Sequence, residues 1–296
     1  MTFSQLEVFV TLAQAGSFSR AAALLGITQS AVSHALRGLE KELGVTLFSR
    51  ERAAAELTDE GQRLLVRAHE MLSLQEALRQ DAAHARGLQE GILRVGSFGS
   101  TSSLRILPDL LARYAQRHPG ITVRIDEEDD DTVVRWLEER RVEIGFVVLP
   151  DERFETWPVA EDEFLVMLPE HHPLAAKPAI HPSDLTGEPF VLSGAGCGDL
   201  IQNALARHGA RLNILYRFPQ LLSLLGFIQR GLAVSVAARL SLPDDYPGVV
   251  YRPLSPALPR SVGLAVRAMD KLSPAARAFM KVAQEMYATP QAIVRP

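Results

Sequence analysis

Between Gly26 and Leu43 the chain reads GITQSAVSHALRGLEKEL, and the side chains on one side of it suit the reading of base-pair edges. On a helix of 3.6-residue period Ser30, Ser33, His34, Arg37 and Lys41 project together, with Gln29 at the margin. Val32, Ala35, Leu36, Leu39 and Leu43 form the opposite stripe. Glutamine can pair with adenine, serine and histidine can donate or accept, and the cations of Arg37 and Lys41 suit phosphates. A solvated face on an ordinary helical hairpin is the alternative reading, although such faces usually mix Glu with Lys. Arg50 and Arg52 stand in a polar excursion between two short apolar segments, Val45 to Phe48 and around Leu57. That is the form of a wing, which sets arginines on the DNA backbone or in the minor groove.

Groups for catalysis or metal binding do not assemble in this way. The sequence has no G-x-S-x-G, no H-E-x-x-H and no phosphate-binding loop ending in Lys-Ser or Lys-Thr, and GAGCG lacks the dinucleotide spacing. His171 and His172 diverge, as adjacent side chains do, and no further ligand stands at a useful spacing. No catalytic residue, metal site or cofactor is therefore expected. In the acidic run IDEEDDDTVVRWLEERR, Asp129 to Asp131 suit the positive end of the helix that follows, and Glu127 or Glu128 is the candidate to face a cleft.

These residues need elements to hold them. A first helix is predicted from about Ser4 to Gln14 with Gly16 as its stop, and a second from Ser17 or Phe18 to Gly26. Only Gly26, Ile27 and Thr28 separate it from the next helix, so the two must cross steeply, with Thr28 as N-cap and Ala22 small at the approach. Ala21, Leu25, Ile27, Val32 and Ala35 are expected in a shared miniature core, which together is the helix-turn-helix pattern. From Thr58 a long amphipathic helix carries Leu64, Leu65, Ala68, Met71, Leu72, Leu78 and Ala82 on one stripe that needs burial. Past Gly87, at a linker of about residues 86–91, strands such as ILRVGSF, GITVRID and VEIGFVVLP alternate with helices, the order of an α/β domain.

Composition sets limits on the rest. A chain of 296 residues with 47% apolar and 22% charged content supports two or three globular units. No run of about 18 apolar residues occurs and the N-terminus lacks a signal-peptide pattern, so a cytoplasmic protein without membrane contact is expected. Cys197 alone can build no disulfide framework. The net charge of −4 is not that of a generally basic nucleic-acid binder, so DNA recognition must rest on local features.

The segment SFSRAAALLGITQSAVSHALRGLEKELGVTLFSRE…LTDEG, over about residues 3 to 61, resembles the N-terminal signature of the LysR-type transcriptional regulators. It departs at Ala53, Ala54, Ala55 and Glu56, where wings of this family often carry further basic or glycine residues. The resemblance implies an all-α winged helix-turn-helix domain (1–60) and a linker helix (58–88) that pairs with its twin in a dimer. It implies an α/β effector domain (91–296) similar to type 2 periplasmic binding proteins. One subdomain spans about 91–161 and 267–296, the other about 162–266. The partners implied are double-stranded DNA at a palindromic promoter site, a small-molecule effector, RNA polymerase, and further copies of the chain in a dimer or tetramer. In such a domain ligands bind beyond the carboxyl ends of strands and at helix N-termini. Ser100, Thr101 and Ser102 are accordingly the effector candidates on one side, Ser193, Gly196 and Cys197 on the other, with Phe146 and Val148 lining between. Cys197 also stands where the oxidation-responsive branch of the family carries its peroxide-sensing cysteine, so a thiol-based redox regulator is one alternative. A cytosolic solute-binding or enzymatic α/β protein with an incidental helical hairpin is the other.

Overall fold

The computed structural model describes residues 1–49, 55–86, 90–194 and 196–288. Arg50 and Arg52, and the glycine at 87 taken as the domain boundary, lie outside the described residues. The N-terminal helices are α1 (Phe3–Ala15), α2 (Phe18–Leu25) and α3 (Gln29–Leu43). Thr2 and Gln5 form a reciprocal capping box at the start of α1, and the Thr28 hydroxyl accepts from the Ala31 N–H at the start of α3. Gly26 turns the chain between α2 and α3 at φ +65°, a conformation that costs other residues a Cβ clash. Phe9, Leu12, Ala21, Val32, Leu36, Leu39 and Leu47 make the core of this domain. Two expected members are displaced: Ile27, on the turn, is 41% exposed, and Leu43, in the last turn of α3, is 37% exposed. Phe48 and Leu57 bridge antiparallel at the base of the wing.

Helix α4 (Asp59–Ala85) begins where the Thr58 hydroxyl accepts from the Gly61 N–H at 3.0 Å. Gly61 is required there by proximity, because a Cβ would collide with the Leu47 carbonyl. The apolar stripe of α4 divides along its length. Leu65 and Ala68 are buried in the N-terminal core, whereas Leu74 and Leu78 are 63% and 70% exposed. Its later turns are tied to the next domain. The Ile92 N–H donates to Glu76, and the Gln80 carboxamide donates to the Ile92 carbonyl while accepting from the Ala275 N–H. Glu70 pairs with Arg140 at 3.0 Å, and His69, buried with Arg141 and Arg94 nearby, has its pKa pushed down to about 4.

The remainder runs β1 (Gly91–Phe98), α5 (Gly99–Arg105), α6 (Leu107–Arg117), β2 (Ile121–Glu128), α7 (Asp130–Glu138), β3 (Ile144–Leu149) and β4 (Glu155–Pro169). It continues with β5 (Pro189–Ser193), α8 (Gly198–Arg207), β6 (Asn213–Phe218), α9 (Leu221–Gln229), β7 (Ser235–Ala238), β8 (Val249–Pro253), β9 (Pro259–Val266) and α10 (Pro274–Met286). The helical segment after β1 is split at Ile106. Pro108 has no N–H and fits only the first turn of a new helix.

Among the described residues one sheet has the order β2-β1-β3-β9-β4-β7, with β8 also on β4, and a second consists of β5 and β6. Strands β1, β2 and β3 are parallel, as helical crossovers demand, while β9 and β4 run antiparallel. Strand β4 is continuous through both halves: residues 155–163 pair with β9, and residues 164–169 with β7 and β8. One core gathers around Tyr114, Phe146 and Phe279, a second around Phe164, Phe190 and Val236, and a third around Met167, Leu224 and Val249. Val262, Leu264, Ala265 and Val266 sit in the first core, so β9 belongs to the first subdomain and not, as the sequence reading placed it, to the second. No helix among the described residues is long and apolar enough to cross a membrane, and no group of three metal-ligating side chains forms among them.

Candidate nucleic-acid interface and ligand cavity

Helix α3 turns Val32, Leu36 and Leu39 inward and leaves Gln29, Ser30, His34, Arg37 and Lys41 exposed, with Ser33 half-buried. Ser30 shares a hydrogen bond with the Thr28 cap at 2.9 Å, and Arg37 Nε donates to the Ser33 carbonyl at 3.1 Å, so both are held along the helix. The Ser19 hydroxyl donates to Gln29 Oε1 at 3.3 Å, and Arg20 beside it is exposed. These two residues at the start of α2 went unnoticed in the sequence, because a short helix with one arginine carries no distinctive spacing.

A cavity of about 210 Å³ is lined by residues of both subdomains: Asp130 and Val148 from the first, Phe164, Cys197 and Leu200 from the second, and Arg260 at the start of β9. Of the effector candidates, Val148, Gly196 and Cys197 line it, whereas Ser100, Thr101, Ser102, Phe146 and Ser193 do not. The reasons are local. Ser102 Oγ is buried, bonded to Ser97 Oγ at 2.8 Å and accepting from the Phe98 N–H. Thr101 Oγ1 accepts from Arg260 at 2.7 Å, and Phe146 is fully enclosed in the first core. Ser100, half-buried, lies on the same short helix but away from the cavity. Glu127 and Glu128 are exposed on the edge strand β2. Asp129 caps α7 through the Thr132 N–H, and it is Asp130 and Asp131 that reach the cavity.

Arg260 is a buried charge, its side chain 3% exposed. Its Nε donates to Asp162 Oδ2 at 2.8 Å, and its guanidinium lies 5.7 Å and 5.5 Å from the ring centres of Phe98 and Phe164. Asp162, wholly buried, also accepts from the Glu163 and Leu240 N–H groups. The only sequence signal for this pair was a lone arginine in the apolar strand PRSVGLAV, a position where a charge requires a partner.

Burial and the neighbouring Asp130 charge push the Cys197 thiol up to about 11. A thiol so shifted stays protonated at neutral pH and is a poor nucleophile toward peroxide. Cys197→Ser is accordingly expected to leave the promoter response to peroxide unchanged in a reporter strain; loss of a peroxide response in the variant would restore the redox reading.

Two family models match the chain: "Bacterial regulatory helix-turn-helix protein, lysR family" over residues 3–62, and "LysR substrate binding domain" over residues 86–288. The chain is 34% identical over 293 residues to the uncharacterized HTH-type transcriptional regulator YvbU of Bacillus subtilis, covering 97% of this chain and 99% of that protein. It is also 34% identical over 288 residues to the probable HTH-type transcriptional regulator LrrA of Synechococcus elongatus, covering 96% and 97%. Among solved structures, a full-length OxyR variant from Pseudomonas aeruginosa has a TM-score of 0.71 at 26% identity, covering 98% of this chain and 99% of that one. Full-length CbnR complexed with its target DNA shares the fold, with a TM-score of 0.68 at 23% identity over 97% of this chain and 100% of that one.

Proposed function

The chain belongs to the LysR family of transcriptional regulators, and from that premise we propose how its own residues bind DNA and respond to a ligand. The observation that carries the reading is the outer face of α3, polar and exposed opposite the buried Val32, Leu36 and Leu39. With α3 in the major groove, Gln29, Ser33 and His34 meet base edges, while Ser30, Arg37 and Lys41 meet the backbone. Arg50 and Arg52 of the wing add backbone or minor-groove contacts. The exposed leucines of α4 pair with those of a second copy, presenting two α3 helices to successive major grooves of a palindromic promoter site. Such dimers join into a tetramer that acts on RNA polymerase in the cytoplasm.

A small effector in the cavity between the subdomains selects one closure, and the selected closure changes how the paired DNA-binding domains are held. The role is regulatory, with no catalytic step assigned. The domain division proposed is 1–60, 58–88 and 91–296, with β9 counted in the first subdomain. Replacement of Gln29, Ser33 or His34 by alanine is expected to change which operator variants bind, by about 1–3 kcal/mol at individual base positions, in mobility-shift assays at fixed salt. Replacement of Arg37 or Lys41 is expected to weaken all operators alike. A uniform loss for the first set would sink the assignment of base contacts.

A further inference from the structure

The charges around the cavity are not equally satisfied, and the imbalance restricts what can fill it. Arg153 binds Asp151 through two hydrogen bonds of 2.9 Å and 2.7 Å, so those lining charges neutralise each other. The Arg260 charge is balanced by Asp162, but its hydrogen bonding is incomplete: Nε and Nη2 are engaged, while Nη1 has no acceptor among the described residues. Arg260 lines the cavity and is fixed by Asp162, Thr101 and two aromatic rings, so Nη1 is a donor presented without freedom to turn away.

Asp130 lines the same space. Among the described residues it forms no ion pair with Arg260 and no hydrogen bond to another side chain. The loop of the second subdomain covers it, since a Cβ added to Gly196 would lie 3.0 Å from its carboxyl group. Asp131 adds a second carboxylate nearby, and Val134, Val148, Phe164 and Leu200 supply apolar walls.

A simple anion could use Nη1 but would face Asp130 and Asp131, and a simple amine would leave Nη1 unmatched and desolvated, which is costly. A ligand with both groups matches both ends. The volume of about 210 Å³ lies below the roughly 300–1,000 Å³ of drug-sized pockets and keeps the ligand small. We propose that the cavity binds a free amino acid with a modest apolar side chain, its ammonium on Asp130 and its carboxylate on Arg260 Nη1. This rests on the reading of the cavity as the effector site.

The test is calorimetric titration of the full-length protein with each of the twenty amino acids. Leucine, 3-methylbutylamine and 4-methylpentanoate are compared as a matched set that keeps, or removes one of, the two charged groups. At least one apolar amino acid is expected to bind, with its amine and acid counterparts at least about tenfold weaker, the cost of one lost charge-assisted hydrogen bond. Asp130→Asn, checked for folding by circular dichroism, is expected to weaken the amino acid at least about tenfold and the acid less. Affinity is also expected to fall as pH drops through about 6, where burial has pushed the Asp130 carboxyl. The charged and titratable groups around it are Asp129, Asp131, Arg260 and the Cys197 thiol, with the Asp151–Arg153 pair on the same cavity wall. An acid that binds as tightly as its amino acid, or no binding by any of the twenty, would overturn the proposal. If metabolites of another class occupy the cavity and alter the DNA footprint, the effector reading stands and this inference falls. If no compound alters DNA binding while an amino acid still binds in the cavity, the reverse holds.

Discussion

Arg260→Met is expected to destabilise the effector domain by about 3–5 kcal/mol, because it leaves the carboxylate of Asp162 buried without its cation. Asp162 retains its two backbone N–H donors, but these do not offset a full charge in a site with no exposure. For a domain of this size the loss corresponds to a fall in melting temperature of roughly 6–20 °C. Replacing both members of the pair, as Arg260→Met with Asp162→Leu, is expected to recover most of it, because isosteric apolar substitution of a buried pair is often neutral. Thermal melts of the parent and the single and double variants at neutral pH check both statements. A single variant that melts with the parent would show that water or rearrangement neutralises Asp162. The pair also locates the junction of the subdomains: Asp162 lies near the midpoint of β4, Arg260 opens β9, and Thr101 belongs to α5 of the first subdomain.

The second large effect is expected from α4. Leu74→Glu together with Leu78→Glu should convert the dimer to a monomer and weaken operator binding by about 10²- to 10⁴-fold, through loss of bivalency and with the base contacts unchanged. These side chains are more than half exposed, unlike Leu65 and Ala68 of the same helix, which are buried in the N-terminal core. Burying a leucine is worth about 1.5–3 kcal/mol, so several per copy can hold a dimer, and two carboxylates on the same stripe oppose it. Light scattering reads the assembly and a mobility-shift titration the affinity. A variant that remains dimeric would place the interface elsewhere.

How much of this was legible in the sequence depends on the range of the interactions. The helix-turn-helix was readable because its determinants are local: Gly16 and Gly26 at left-handed turns, Thr28 as a cap, and leucines at helical spacing. Periodicity failed at Ile27 and Leu43, since spacing identifies a face but not where the neighbouring elements end. The ligand cavity was read less well. Serines after β1 drew attention as hydroxyls at a strand end, yet Ser97, Ser102 and Ser103 satisfy one another. The groups that define the cavity come from distant parts of the chain, with Arg260 and Asp162 98 positions apart, and no local pattern announces such a pairing. Asp130 was visible only as part of an acidic run whose ordinary role, capping, falls to its neighbour Asp129.

The hydrogen bonds that Glu76 and Gln80 of α4 share with the backbone of Ile92 and Ala275 make the end of α4 part of the first subdomain, and the Glu70–Arg140 pair extends that attachment along the helix. The 27 residues of α4 span about 40 Å at 1.5 Å per residue. A helix so anchored behaves as a pointer. If the first subdomain tilts by about 5°, the far end travels about 3.5 Å, close to the rise of roughly 3.4 Å between successive nucleotides of one DNA strand. A ligand therefore need not reshape the reading head at all: a rotation of about 5° can shift α3 by one base-pair step relative to its twin.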